Sequence, residues 1–192
     1  LGNARTAFSA DTLGNVMECA GYNVIKEYYI NDAGEQIARL GESVLRRILQ
    51  QQGFTVDFAE DLYQGEYIND IARNIAEEYG ETEGKKFELA DLENQKLRSD
   101  ISAKAMQLCL TAIKQTILND LHIEFDVWTS EKTVRDSGEI EKVLAILREK
   151  ELTYKQEDAE FLKTTMFGDD KDRVLVKKNG AYAYITPDIA YH

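Results

Sequence analysis

The residue pattern predicts an α/β fold built on a mostly parallel sheet, interrupted by a helical insertion and finished by a β-hairpin. Three observations carry this reading. A helix, a strand and a second helix follow one another over residues 1–53 with short, punctuated connections, the order expected of α/β layering. Residues 54–122 then hold apolar residues at helical spacing, and residues 123–192 return to strand-like runs that include Asn179-Gly180, a strong hairpin signal.

The first segment, Leu1 to Asp11, is rich in small residues and reads as a turn leading into a helix. Backbone N–H groups at such a helix start, together with the positive end of its dipole, suit an anion such as phosphate. Most helix starts bind nothing, so an ordinary helix entry remains the local alternative. Leu13, Val16, Met17 and Ala20 then follow helical spacing, with Gly21 at the position of a left-handed cap. Tyr22 to Ile30 is dense in β-branched and aromatic residues and reads as a strand. Asn31-Asp32 supplies a helix cap, and Ile37, Leu40, Val44, Ile48 and Leu49 mark the apolar face of a helix ended by Gly53.

In the helical part, Tyr67, Ile68, Ile71, Ile75 and Tyr79 repeat up to Gly80. A charged connection from Glu81 to Lys86 follows, then a long stretch from Leu89 to Leu121, broken enough near Leu97 to be two helices. Phe125, Val127 and Trp128 restart the strand pattern, and Ser137 caps a helix carrying Ile140, Val143, Leu144 and Leu147. Glu160 to Leu162 and Arg173 to Val176 read as strands, the latter joined through Asn179-Gly180 to Ala181–Ile185, a hairpin over residues 173–185. Thr186-Pro187-Asp188 then opens a helix with proline at its first position.

Composition narrows the function. The chain has 192 residues, 30% charged, and a formal net charge of −12, which argues against a nucleic-acid backbone wrapping most of its surface. No apolar run is long enough to cross a bilayer and no secretory signal opens the chain, so the expected compartment is the cytoplasm, without a membrane. Cys19 and Cys109 are isolated, and with only His122 and His192 present neither a zinc site nor a serine hydrolase triad has support. The loop Phe167 to Arg173 carries three aspartates, but lacks the glycine-shaped spacing of an oxygen-ligand site and reads as a solvated hairpin shoulder; no metal site is expected. Tyr184 and Asp188 are spaced to face one cleft, where a ring and a carboxylate suit a planar guanidinium. Simple packing by Tyr184 and dipole compensation by Asp188 are the alternative.

The blocks Gly2-Asn3-Ala4-Arg5 ahead of Asp11, Ala20 to Val24, Glu27 to Ile37, Phe125 to Trp128 with Ser130-Glu131, Thr164 to Val176, and Tyr184 to His192 resemble arginyl-tRNA synthetases, in the same order. The resemblance implies a class I synthetase catalytic domain with a Rossmann-like parallel sheet, an incomplete domain here. Gly2 and Asn3 resemble the second half of the family's ATP signature His-x-Gly-His, with Asn3 in place of the second histidine; Ala10 replaces a usual glycine. By the same resemblance Glu131, Tyr184 and Asp188 hold the substrate guanidinium, and Asn31, Asp32 and Gln36 belong to a signature near the active site or the tRNA 3′ end.

The activity so implied is arginine–tRNA ligation from ATP with Mg2+ as the substrate complex, L-arginine and tRNA(Arg), with no prosthetic group. The full-length form is expected to be a monomer, to contact tRNA mostly through regions outside this chain, and this piece by itself to arginylate little or not at all. The competing reading, which the Asn3 and Ala10 departures keep open, is a non-catalytic acidic α/β synthetase-like module that binds arginine or a protein partner.

Overall fold

The computed structural model describes residues 2–84 and 86–192, with the side chains of residues 2–4 left out of the description. It divides into two compact units, each taken by itself below: residues 1–26 with 32–126, and residues 27–31 with 127–192.

The first unit is helical. Helix α1 (Gly2–Cys19) begins ten residues or so before the apolar spacing does, so the small-residue segment expected to be a turn is helical from Gly2 onward. Its alanines favour helix strongly, which outweighs the turn tendency of Asn3 and Ser9. Leu13 and Val16 remain 60% exposed, so the stripe that marks the helix in sequence does not hold it. What anchors α1 is polar. The Lys26 ammonium sits 2.9 Å from Asp11 Oδ1 and 3.0 Å from Asn15 Oδ1, its stem crossing the helix at Gly14. Gly21 caps the helix as expected, with φ of 87° and the Tyr22 N–H donating to the Met17 carbonyl.

Helix α2 (Glu35–Gln51) is the centre of this unit. It is capped by Gly34 rather than by Asn31-Asp32, and no side chain caps it. Gly34 has φ 84° and ψ −167°, a region open essentially to glycine alone, so glycine rather than the upstream Asx pair decides where the helix begins. Helices α3 (Tyr67–Glu83) and α4 (Gln95–Gln115) pack on it; Val44, Leu45, Ile48, Ile68, Ala72, Phe87, Ile101 and Ala105 form the core. Gly80 does not end α3, which continues to a left-handed Gly84. The long stretch does break: a 3-10 turn, Leu89–Glu93, precedes Asn94, whose side chain accepts the Leu97 N–H and starts α4. A π turn, Thr116–Asp120, closes the run, and His122 follows with a positive φ of 54°.

At Gly41 the α2 and α4 backbones approach so closely that a Cβ there would lie 2.8 Å from Ser102 Cα and 1.9 Å from its Oγ. Two residues on, Ser43 is fully buried; its hydroxyl donates to the Arg39 carbonyl and accepts the Tyr63 N–H, tying the 54–66 loop to the helix.

The second unit holds both sheets. Strand β1 (Glu27–Ile30) pairs in parallel with β2 (Val127–Ser130), Glu27 opposite Val127 and Ile30 opposite Ser130. β1 occupies only the last four residues of the expected strand. Directly after β2 comes a helix that apolar spacing does not announce, α5 (Glu131–Asp136), with the Ser130 hydroxyl accepting the Thr133 N–H. Helix α6 (Glu139–Glu149) starts after a left-handed Gly138; Ser137 contributes an accepted bond from the Glu139 N–H rather than the cap itself.

An antiparallel sheet follows: β3 (Thr153–Gln156), β4 (Ala159–Leu162) and β5 (Arg173–Val176). The first hairpin turns on Glu157 and Asp158, both at positive φ, a geometry usually signalled by Asn-Gly, and β3 escapes a sequence reading for that reason. At Asn179-Gly180 the chain does fold back, but pairing shrinks to one bridge, Val176 with Tyr182. The expected partner strand ends early because helix α7 (Ile185–Tyr191) takes Ile185. Thr186 consequently lies inside α7, where its buried hydroxyl donates to the Leu175 carbonyl at 2.7 Å instead of capping. Ile140, Leu144 and Leu175 form the core of the unit, with Ile185 and Ile189 of α7 against it. No helix among the described residues is long and apolar enough to cross a membrane.

Glu160 is 4% exposed on β4 and is gripped by Arg148 of α6 at 2.8 and 2.5 Å. Hydrogen bonding to that guanidinium holds its carboxyl below the ordinary range despite burial. A carboxylate held down in the fold contributes stability above its unfolded pKa, and that contribution is lost as pH falls through the lower folded value. Glu160→Gln is therefore expected to be less stable at neutral pH and to lose less on acidification, as read by urea unfolding across pH 3–7. In the first unit, Gly41→Ala should cost about 1–3 kcal/mol by forcing α2 from α4. Gly80→Ala, where nothing lies within 4 Å, should be neutral or stabilising in the same urea titration.

Candidate functional site

The carboxyl end of the parallel β1–β2 pair is where the second unit concentrates chemistry, as open α/β sheets generally do. Asn31 follows β1 there, and Glu131 follows β2 as the first residue of α5. The position of Glu131 is dictated locally: Ser130 ends the strand and caps the helix, so the next side chain falls in the first turn, where the helix dipole favours a negative charge.

Glu131 is only 8% exposed. It is not alone: one turn along α5, Arg135 donates from Nε at 2.8 Å and from Nη2 at 2.6 Å, both bonds ending on Glu131 Oε1. Helix α7 brings Asp188 into its first turn, half-buried, with Tyr184 just ahead of it and 75% exposed.

The charges of these residues act on Tyr29 of β1. Its ring lies 4.7 Å from that of Tyr191, and its hydroxyl is buried with no hydrogen-bond partner. Burial pushes its pKa up to about 12, reinforced by the negative charges of Glu131 and Asp188 and opposed by Arg135. Glu131, Asp188 and Tyr184 thus lie close enough for their charges to bear on one buried phenol hydroxyl. Two members of this group, Tyr29 and Arg135, carry no separate signal in the sequence. Tyr29 is one aromatic among three consecutive bulky strand residues, and Glu131-x-x-x-Arg135 is a spacing shared with many surface ion pairs.

Elsewhere, Gly2 and Asn3 form the start of α1, but their side chains lie outside the described residues. In the first unit Asp32 is half-buried ahead of α2 and Gln36 is exposed in its first turn; Asn31, in the second, is exposed. The aspartate loop is occupied by its own partners. Arg173 bonds Asp169 at 2.7 and 2.6 Å and Asp170 at 2.9 Å, and Asp172 accepts from the Thr165 N–H and hydroxyl. The guanidinium beside it holds the Asp169 carboxyl far below the usual range.

Comparison with known proteins extends over the same residues. The family model for tRNA synthetases class I (R), catalytic domain, matches residues 1–192. The arginine–tRNA ligases of Shouchella clausii and Oceanobacillus iheyensis are each 44% identical over 192 residues, which is all of this chain and 33% of either relative. The chain therefore spans about a third of the length of the curated relatives it matches. A crystal structure of an arginyl-tRNA synthetase from Campylobacter jejuni superposes with a TM-score of 0.85 at 34% identity, covering 98% of this chain and 40% of that one.

Because the Tyr29 proton is held more tightly in the fold than in the unfolded chain, stability should fall as pH rises from about 10 toward the folded value near 12. Tyr29→Phe should remove one phenolate transition near pH 12 from the ultraviolet titration and flatten that loss.

Proposed function

Because the chain belongs to the family of class I tRNA synthetase catalytic domains specific for arginine, we propose that it provides the amino-acid pocket of an arginine–tRNA ligase. In the proposed reaction the carboxylate of L-arginine attacks the α-phosphate of ATP, delivered with Mg2+, to give arginyl-adenylate and pyrophosphate. The arginyl group then passes to a terminal ribose hydroxyl of tRNA(Arg). No enzyme nucleophile is needed, and the work of the protein is positioning and charge stabilisation.

The observation that carries this reading is the nearly buried Glu131 carboxylate, whose negative charge acts on the buried Tyr29 hydroxyl together with that of Asp188. A guanidinium has five donors in one plane, and two carboxylates approached from different elements, β2–α5 and α7, can take them at different edges. The exposed Tyr184 ring, at the entrance of α7, offers a face for the same plane. A lysine ammonium is a compact charge that cannot reach both carboxylates in the same way, and citrulline has the shape without the charge. Gly2 and Asn3 are assigned to ATP, where backbone N–H groups at the start of α1 suit phosphate oxygens. Asn31, Asp32 and Gln36 are assigned to the surroundings of the reacting ends.

Titration calorimetry of the folded chain with L-arginine, L-lysine and L-citrulline tests the assignment. Arginine should bind best, and Asp188→Asn should weaken it by about tenfold or more, the cost of a lost charge-assisted bond. Equal binding of citrulline, or no loss in Asp188→Asn, would sink it.

A further inference from the structure

The pocket contains a guanidinium of its own. Arg135 spends two N–H groups on a single oxygen of Glu131, at 2.8 and 2.6 Å, and its side chain is 27% exposed while that of Glu131 is 11% exposed. A surface ion pair one helical turn apart would leave both partners in water. Here one partner is buried and the other reaches over it.

Charge counting shows what this accomplishes. Glu131 and Asp188 bring two negative charges to the Tyr29 hydroxyl, Arg135 brings one positive charge, and the phenol brings none. On the adjoining helices, Lys132 pairs with Asp136 on α5 and Lys142 with Glu139 on α6 at the surface, while Arg148 of α6 is held by Glu160. Glu131, Asp188 and Arg135 together carry one net negative charge, the complement of a single monovalent side chain. Removing Arg135 would leave the nearly buried Glu131 carboxylate without its cation, an arrangement that drives such a group outward or raises its pKa.

On the reading of this pocket given above, we propose that Arg135 is a positioning residue for arginine recognition, fixing one oxygen of Glu131 so that the other is presented to the substrate and the pocket stays matched to one guanidinium. It acts through Glu131 and does not itself contact the substrate. The fork geometry matters as well as the charge, since both bonds come from one rigid plane. Lysine at this position would restore the charge balance but hold the carboxylate at one point only.

A double-mutant cycle read by arginine calorimetry, with circular dichroism and thermal melting to verify folding, tests the proposal. Arg135→Met should weaken arginine by about tenfold and Arg135→Lys by less; Arg135→Met combined with Glu131→Gln should be no weaker than Glu131→Gln alone. If Arg135→Met does not fold, Arg135→Lys decides: a loss intermediate between the wild type and Glu131→Gln supports the proposal. Arginine binding in a folded Arg135→Met or Arg135→Lys chain that equals the wild type overturns it, as does a double variant whose losses simply add. Should Glu131→Gln itself leave arginine binding intact, the pocket reading fails and this inference with it; if only the Arg135 variants are silent, the pocket stands and the inference alone falls.

Discussion

The parallel pairing of β1 with β2 is the constraint on which the second unit depends. Two strands of four residues each, whose partners Glu27 and Val127 are far apart in sequence, must find one register. Closing so long a loop costs entropy that short strands alone hardly repay. The pairing is reinforced by side chains: Thr129 donates to Glu27 across it, and the Tyr28 and Trp128 rings lie 4.7 Å apart. Register also sets the proposed pocket, because a slip of one residue would send Tyr29 and the Ser130 cap to the opposite face. The buried phenol and the carboxylate of Glu131 are thus two products of one alignment.

Charge is managed by a common device in both parts of the second unit. Glu160 and Glu131 are each nearly buried, and each is met by an arginine that reaches in from a more exposed position. The arginine fork satisfies a carboxylate while leaving its own remaining donors near water, which limits the desolvation cost of the pair. With a net charge of −12, most of the excess acidity lies at the surface, and the few carboxylates placed inside are those with a dedicated cation.

The fold class, the helical character of the middle and the caps at Gly21 and Gly53 were legible because they depend on local chemistry: periodicity and glycine conformation. What escaped depended on geometry without a sequence signature. β3 was hidden by a turn made from Glu157 and Asp158, and α5 by its six-residue length, too short for a period to show. The α2 start was misplaced because Gly34 occupies a backbone region that overrides the capping tendency of Asn31 and Asp32. For the proposed site, resemblance named Glu131, Tyr184 and Asp188 as candidates, while Tyr29 and Arg135 became visible only when burial distinguished one tyrosine and one ion pair from the rest. An orphaned hydroxyl is a three-dimensional property, and no spacing encodes it.

In the first unit, Lys26 and Asp126 are joined reciprocally: the Lys26 N–H donates to Asp126 Oδ2 at 2.7 Å, and the Asp126 N–H to the Lys26 carbonyl at 2.8 Å. Ninety-nine residues of chain leave and return through that one latch. That span begins with β1, whose register is fixed by β2, and continues into helices α2, α3 and α4, which hold a core of their own and leave room for their surface residues to change. The variation tolerated in residues 32–125 can then be read separately from the variation forbidden in the two short strands that flank it, β1 and β2.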